Sequence, residues 1–234
     1  MLSRRYLLCL IAAAPLLCCA GDEPKKPLVK GDKIVFLGDS ITQGGSGPKG
    51  YITLFTKSIQ ASHPDFELTT VNAGISGHKV PNLQARLDKD VIAKKPTIVY
   101  IYIGINDVWH GENDPKKGTP KDKYEAGLKD LITRINAAGA RVIMCTPTVI
   151  GEKTGGANKL DAQLDEYADI SRKVAADTKS QLCDLRKAFG EHLKANNPNN
   201  KESGILTGDR VHLNEAGNKL VAETMLKALG EELK

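Results

Sequence analysis

The 234-residue chain has few aromatics, 5% of the total, and a single tryptophan. Its lysines are scattered without forming a basic run, so nucleic acid is not an expected partner. No two of the five histidines stand at a His-x-x-x-His spacing, and no acid cluster completes a ligand set, so the sequence asks for no metal. It has no Gly-x-Ser-x-Gly elbow and no Gly-Lys-Ser/Thr phosphate loop. Asn-x-Ser/Thr sequons are also missing. What is there is ordinary for a folded globular protein: 41% hydrophobic and 26% charged residues exclude a disordered or fibrous chain. The length suits one α/β domain with a sizeable core.

Cysteine is scarce and unevenly placed. Cys9, Cys18 and Cys19 fall in the first twenty residues, where Arg4 and Arg5 precede an apolar run from Tyr6 to Cys19 and Ala20-Gly21 offers a small-residue exit. This reads as a secretory signal, too short to span a membrane. Pro15 would break a buried helix there, and the polar stretch Asp22 to Pro27 follows. The expected organisation is a signal over residues 1–20, a linker over 21–30 and one domain over 31–234. The mature protein is expected in the periplasm or outside the cell, without a membrane span. Ser3-Arg4-Arg5 resembles a twin-arginine signal, and Leu16-Leu17-Cys18-Cys19 loosely resembles a lipoprotein cleavage site. Cleavage after Ala20 is the simpler reading, because Cys18 fits badly before a modified cysteine. Removing the signal takes two arginines and no acid, lowering the formal charge from +5 to +3. Cys145 and Cys183 remain in apolar segments, as small buried thiols or, in an oxidising compartment, as a pair.

From Lys33 onward, short apolar runs alternate with helical spacings. The pattern predicts strands at Lys33–Leu37, Phe66–Val71, Thr97–Ile103, Arg141–Cys145 and Gln181–Leu185. It predicts helices over Tyr51–Ala61, Val80–Asp88, Tyr124–Ala138, Leu160–Thr178 and Asn214–Leu233. Strands separated by helices imply a three-layer α/β/α sandwich with a five-stranded parallel sheet. Ligand sites of such sheets gather at the carboxyl ends of the strands.

The chemistry-bearing segments fall at those ends. Gly38-Asp39-Ser40 follows the first strand, Asn72-Ala73-Gly74 the second, and Gly104-Ile105-Asn106-Asp107 the third; Asp209-Arg210-Val211-His212 precedes the last helix. A serine hydroxyl attacks well only when a base takes its proton. His212 is suited to that role near neutral pH, and Asp209 to holding its second ring nitrogen. Together these four blocks resemble the SGNH hydrolases, the GDSL esterase and lipase family, over essentially the whole chain after Lys33. The resemblance implies a flavodoxin-like fold and ester hydrolysis through an acyl-serine, with no cofactor. It implies Ser40, His212 and Asp209 as the catalytic triad. The oxyanion donors it implies are the N–H groups of Ser40 and Gly74 and the Asn106 amide.

Taken singly, the same residues have plainer readings. Ser40 alone reads as a helix N-cap, Asn72 and Gly74 as turn formers, and Asp39 as a brace for the nucleophile turn. Asp107 reads as structural and Ser76 as a spare hydroxyl. His63, His78, His110 and His192 read as solvated surface histidines, with His78 and His110 candidates for a pocket rim. Gly45-Ser46-Gly47-Pro48-Lys49-Gly50 matches a dinucleotide fingerprint, but it does not directly follow a strand, and the second strand ends without the ribose-binding acid.

The family acts on varied esters. The absence of a long apolar lid and the polar loops His110–Lys121 and Gly151–Asn158 point to small acyl groups on polar carriers. Trp109 is a candidate stacking face for a sugar ring, or a packing residue. The expectation is an exported carbohydrate O-acetylesterase taking small-molecule or polysaccharide esters. A lysophospholipase or thioesterase is the alternative within the enzyme class, and a non-catalytic carbohydrate-binding protein the alternative outside it.

Overall fold

The computed structural model describes residues 26–234; the export signal expected over residues 1–20 and the start of the linker lie outside the described residues. Five strands run in parallel in the order β2-β1-β3-β4-β5: β1 (Lys33–Gly38), β2 (Thr69–Gly74), β3 (Ile98–Tyr102), β4 (Arg141–Cys145) and β5 (Gln181–Cys183). This is the flavodoxin-like order, and it sets β1 between β2 and β3, with the strand ends that carry the motifs side by side.

Among the described residues eight α-helices link and cover the strands: α1 (Ser40–Gly44), α2 (Tyr51–Ser62), α3 (Val80–Asp90), α4 (Ile105–Trp109), α5 (Lys121–Ala137), α6 (Asp161–Asp177), α7 (Leu185–Asn196) and α8 (Glu215–Leu229). α8 packs against α2 and α7, while α5 packs against α3 and α6, giving the two outer layers. β3 is buried along its whole length, as a central strand covered on both faces must be.

The few aromatics are concentrated rather than spread. Phe36 of β1 stacks on Tyr100 of β3 at 5.2 Å and meets Phe55 and Tyr51 of α2 edge-on at 5.3 and 5.9 Å. Tyr100 donates its hydroxyl to the Met225 carbonyl of α8 (2.8 Å), so the cluster fixes α2 and α8 over the middle of the sheet while keeping its polar atom paired.

The structure moves one expected element and adds another. β2 begins three residues later than its apolar pattern suggested and runs through Asn72-Ala73-Gly74, because it pairs with β1 up to Gly38↔Gly74. Pairing overrides the turn tendency of Asn and Gly there. α7 was not anticipated from the sequence. Its buried residues Leu185, Phe189 and Leu193 recur every fourth position, and Asp184 caps it by accepting the Lys187 N–H (3.1 Å). Cys145 and Cys183 face each other in register, both buried and both free thiols. His63 is not simply solvated, since it stacks on Phe66 and lies 2.9 Å from Glu231.

Candidate active site

Ser40 opens α1, and the helix cap that the sequence offered to Ser40 falls instead to Asp39, whose Oδ1 accepts the Ile41 N–H at 2.9 Å. The Ser40 hydroxyl is thereby left for His212, with Oγ and Nε2 2.9 Å apart. Two glycines let this turn sit so close to the sheet. A Cβ on Gly74 would collide with the backbone of Thr42 and Gln43, and one on Gly38 with the Thr42 side chain and the Tyr102 carbonyl. Asn72 does more than shape a turn: its amide donates to the Thr42 carbonyl and to Ser46 Oγ, both at 2.8 Å, tying α1 and the following loop to β2.

His212 and Asp209 share one tight loop. Asp209 Oδ2 lies 2.7 Å from His212 Nδ1, and Oδ1 accepts the backbone N–H groups of His212 (2.7 Å) and Val211 (3.1 Å). Burial works against the charged carboxylate, but the bonds from the His212 ring and from those two N–H groups outweigh it, so Asp209 is held below the ordinary carboxylate range. An ionised acceptor at Nδ1 fixes the ring proton there and leaves Nε2 to accept from Ser40. Between them Arg210 adopts a left-handed conformation (φ +82°), a strained state for a residue with a Cβ. The Gly151 N–H, bonded to the Arg210 carbonyl at 2.8 Å, holds it there.

The stem of that loop hangs on Glu152, a residue of the polar Gly151–Asn158 segment. The side chain is fully buried. Its Oε2 accepts the Ile205 N–H (2.7 Å), and its Oε1 accepts the N–H of Leu206 (2.7 Å) and the N–H and hydroxyl of Thr207. No local pattern marks Glu152, because the partners of its side chain all lie more than fifty positions away.

On the other side of Ser40, Asn106 is nearly buried in the first turn of α4. Its amide donates to the His78 carbonyl (3.1 Å) and lies 3.4 Å from Asp39 Oδ2. The Gly74 N–H donates to Asn72 Oδ1 at 2.8 Å. Arg86, also missed from sequence, links these parts by donating to the Gly38 carbonyl (2.9 Å) and to His78 Nδ1 (3.1 Å). Burial and the Arg86 charge hold His78 below the ordinary histidine range, which leaves Nδ1 free to accept. His110 is pushed the same way by burial and then by Lys79. Trp109 closes α4, half-buried against the core.

Two acids lie under the site. Burial, helped by the nearby charge of Asp107 and opposed by the Ile41 N–H, pushes Asp39 up from 3.8 to about 7. Burial pushes Asp107 up to about 6. Asp107 Oδ1 accepts the Val80 N–H at the start of α3 (3.1 Å). The glycine-rich segment after α1 closes on itself, with Gly50 N–H donating to Gly47 and Ile52 N–H to Gly45, each at 2.9 Å, and forms no cradle for a dinucleotide. Among the described residues no helix is long and apolar enough to cross a membrane.

Comparison with known proteins agrees with this geometry. Residues 36–220 match the GDSL-like Lipase/Acylhydrolase family. An acetylxylan esterase of Geobacillus stearothermophilus is 35% identical over 86% of this chain and 95% of its own length. The crystal structure of the acetyl xylan esterase AlAXEase superposes with a TM-score of 0.81 at 41% identity, covering 84% of this chain and 99% of the other. Structures of the Geobacillus esterase include catalytic mutants in which a serine, an aspartate and a histidine are each replaced by alanine; they superpose with a TM-score of 0.79 at 33% identity over 89% of this chain and 98% of theirs. The Ser40, Asp209 and His212 side chains are those three residue types joined in one hydrogen-bonded chain. The protein is a carboxylic ester hydrolase with a Ser-His-Asp triad, and it belongs to the GDSL-like lipase/acylhydrolase family.

Proposed function

We propose that the protein is an exported carbohydrate O-acetylesterase. The observation that carries the substrate class is the openness of the triad: the His212 and Asp209 side chains are 45% and 56% exposed, so a bulky polar carrier reaches Ser40 without entering a channel. The acetylxylan esterases among its relatives support the same reading. In this mechanism Ser40 Oγ attacks the ester carbonyl while His212 Nε2 takes its proton, and the imidazolium is stabilised by Asp209. As the tetrahedral intermediate collapses, the imidazolium gives the proton to the leaving sugar oxygen, which departs as a hydroxyl, and water activated by His212 then releases acetate from the acyl-serine.

The oxyanion is assigned to the N–H groups of Ser40 and Gly74 and to the Asn106 amide. Ser40, as the first helical residue, has its N–H outside the helical ladder. Gly74 and Asn106 exchange their present acceptors, Asn72 Oδ1 and the His78 carbonyl, for the developing charge. The uncovered part of the Trp109 indole is the assigned stacking face for a sugar. Export rests on the pattern of the first twenty residues, and the N-terminus of the secreted protein, read by mass spectrometry, should be Gly21.

A panel of short and long acyl esters beside acetylated oligosaccharides tests the reading. Preference for acetyl groups on sugars is the expected result, and preference for long chains or lysophospholipids overturns it. S40A should lower turnover by about 10⁶-fold and abolish fluorophosphonate labelling while the fold persists. Absence of any activity in the parent protein would instead favour a carbohydrate-binding role.

A further inference from the structure

A concavity borders the stem of the catalytic loop. A cleft of about 790 Å³ opens beyond the carboxyl ends of β4 and β5, bounded by the loop after β4 and by α7. It touches the active site through the backbone, since Gly151 in its wall is the residue that donates to the Arg210 carbonyl between Asp209 and His212. β4 and β5 stand two and three strand positions from β1, which sets the strand ends bordering the cleft ~10–15 Å from the end of β1 that carries Ser40. That is the reach of a short oligosaccharide.

Five basic and three acidic side chains face the cleft. The acids are already matched: Arg186 bridges Asp161 (3.0 Å) and Asp165 (2.8 Å), and Arg172 takes Asp184 (2.8 Å). Two arginines against three aspartates leave this part of the wall one negative charge. Lys153, Lys187 and Lys194 outweigh it and make the cleft positive on balance. Among the described residues Lys153 and Lys194 pair with no carboxylate, and Lys187 reaches Glu191 only at 4.0 Å, both groups being well exposed. Three ammonium groups around a space large enough for sugar rings, open to solvent beside Gly155 and Gly156, suit a negatively charged, strongly hydrated guest.

We propose that this cleft binds a carboxylate-bearing sugar of the same chain whose acetyl ester lies at Ser40, so that the enzyme favours acetylated oligosaccharides carrying uronic acids. The assignment rests on the carbohydrate esterase reading above. The lysines give the guest orientation and local concentration, and they take no part in the chemical step.

The test compares acetylated xylooligosaccharides with and without glucuronic acid branches, using p-nitrophenyl acetate as a control that is too small to span the two sites. The acidic oligosaccharide should show kcat/KM about tenfold higher at low salt, mainly through KM, as three exposed charge contacts would give. The advantage should vanish in about 0.5 M NaCl. It should also vanish in K153A/K187A/K194A, whose rate on p-nitrophenyl acetate stays at the parent level and reports an intact fold. Equal kcat/KM for the two oligosaccharides, or an advantage that survives in the triple variant, overturns the cleft assignment alone. Turnover of p-nitrophenyl acetate with neither oligosaccharide cleaved overturns the carbohydrate reading and the cleft assignment together.

Discussion

Glu152 accepts the Thr207 hydroxyl at 2.8 Å, two residues before Asp209, from a position with no exposed surface. A buried carboxylate is costly unless its lone pairs are filled, and here four donors from Ile205, Leu206 and Thr207 fill them. The anchor closes just where the chain leaves the core to form the catalytic loop, and α8 locks the same stem from beneath: a Cβ on Gly217 would strike the Leu206 carbonyl. The loop is itself exposed and contains a strained residue, so its geometry depends on this footing.

E152Q should therefore act as a positioning defect. The amide keeps one acceptor oxygen and sets an NH₂ against N–H donors, costing roughly 2–3 kcal/mol of stability. Turnover should fall about ten- to a hundredfold with KM little changed, since small misplacements of catalytic groups are expensive. Denaturant melts and steady-state kinetics check both. A far-downfield proton NMR signal from the His212–Asp209 bond should weaken in the variant at temperatures where the fold is intact. An unchanged signal with normal kcat would mean that the anchor serves stability alone.

The contrast between Glu152 and the triad shows what the sequence carried. Ser40, Gly74 and Asn106 were legible because each stands at or just beyond the carboxyl end of a strand, and a parallel sheet brings such ends together. β4 was read with its true bounds because Arg141–Cys145 is a short apolar run between Gly139-Ala140 and Pro147. β2 was misplaced because its last residues, Asn72 and Gly74, serve the site at the cost of strand propensity. α7 was missed because a strand preceded it closely and only three positions carry its apolar stripe. Glu152 and Arg86 act through partners distant in sequence, which no local pattern encodes.

Asn106 offers a prediction separable from the triad. Its side chain is nearly buried and hydrogen-bonded only to the His78 carbonyl and, weakly, to Asp39. N106A should leave the Ser40–His212–Asp209 chain in place while removing one oxyanion donor. The expected loss is ~10²–10³ in kcat with KM nearly constant, because the bond forms mainly in the transition state. Fluorophosphonate labelling should slow without being abolished, in contrast with S40A. Parent-like kcat in N106A would remove Asn106 from the oxyanion site.

Asp39 gives the enzyme an inverted pH dependence of stability. Its carboxyl titrates at about 7 in the fold against an ordinary value of 3.8, chiefly because burial disfavours the charge. The folded protein thus holds the proton more tightly than the unfolded chain does. The stability this brings is fully present below about pH 4, declines as the pH climbs, and is lost above about pH 7. Asp107, pushed up to about 6 by burial, adds a loss of the same sign over a lower window. D39N retains an acceptor for the Ile41 N–H and cannot ionise, so it keeps the α1 cap while removing the buried charge. Relative to the parent, D39N should gain stability on going from pH 5 to pH 8, by an amount on the order of a few kcal/mol. Urea melts of both proteins at half-unit pH intervals measure the difference, and parallel curves across that range would show that Asp39 is already ionised at pH 5.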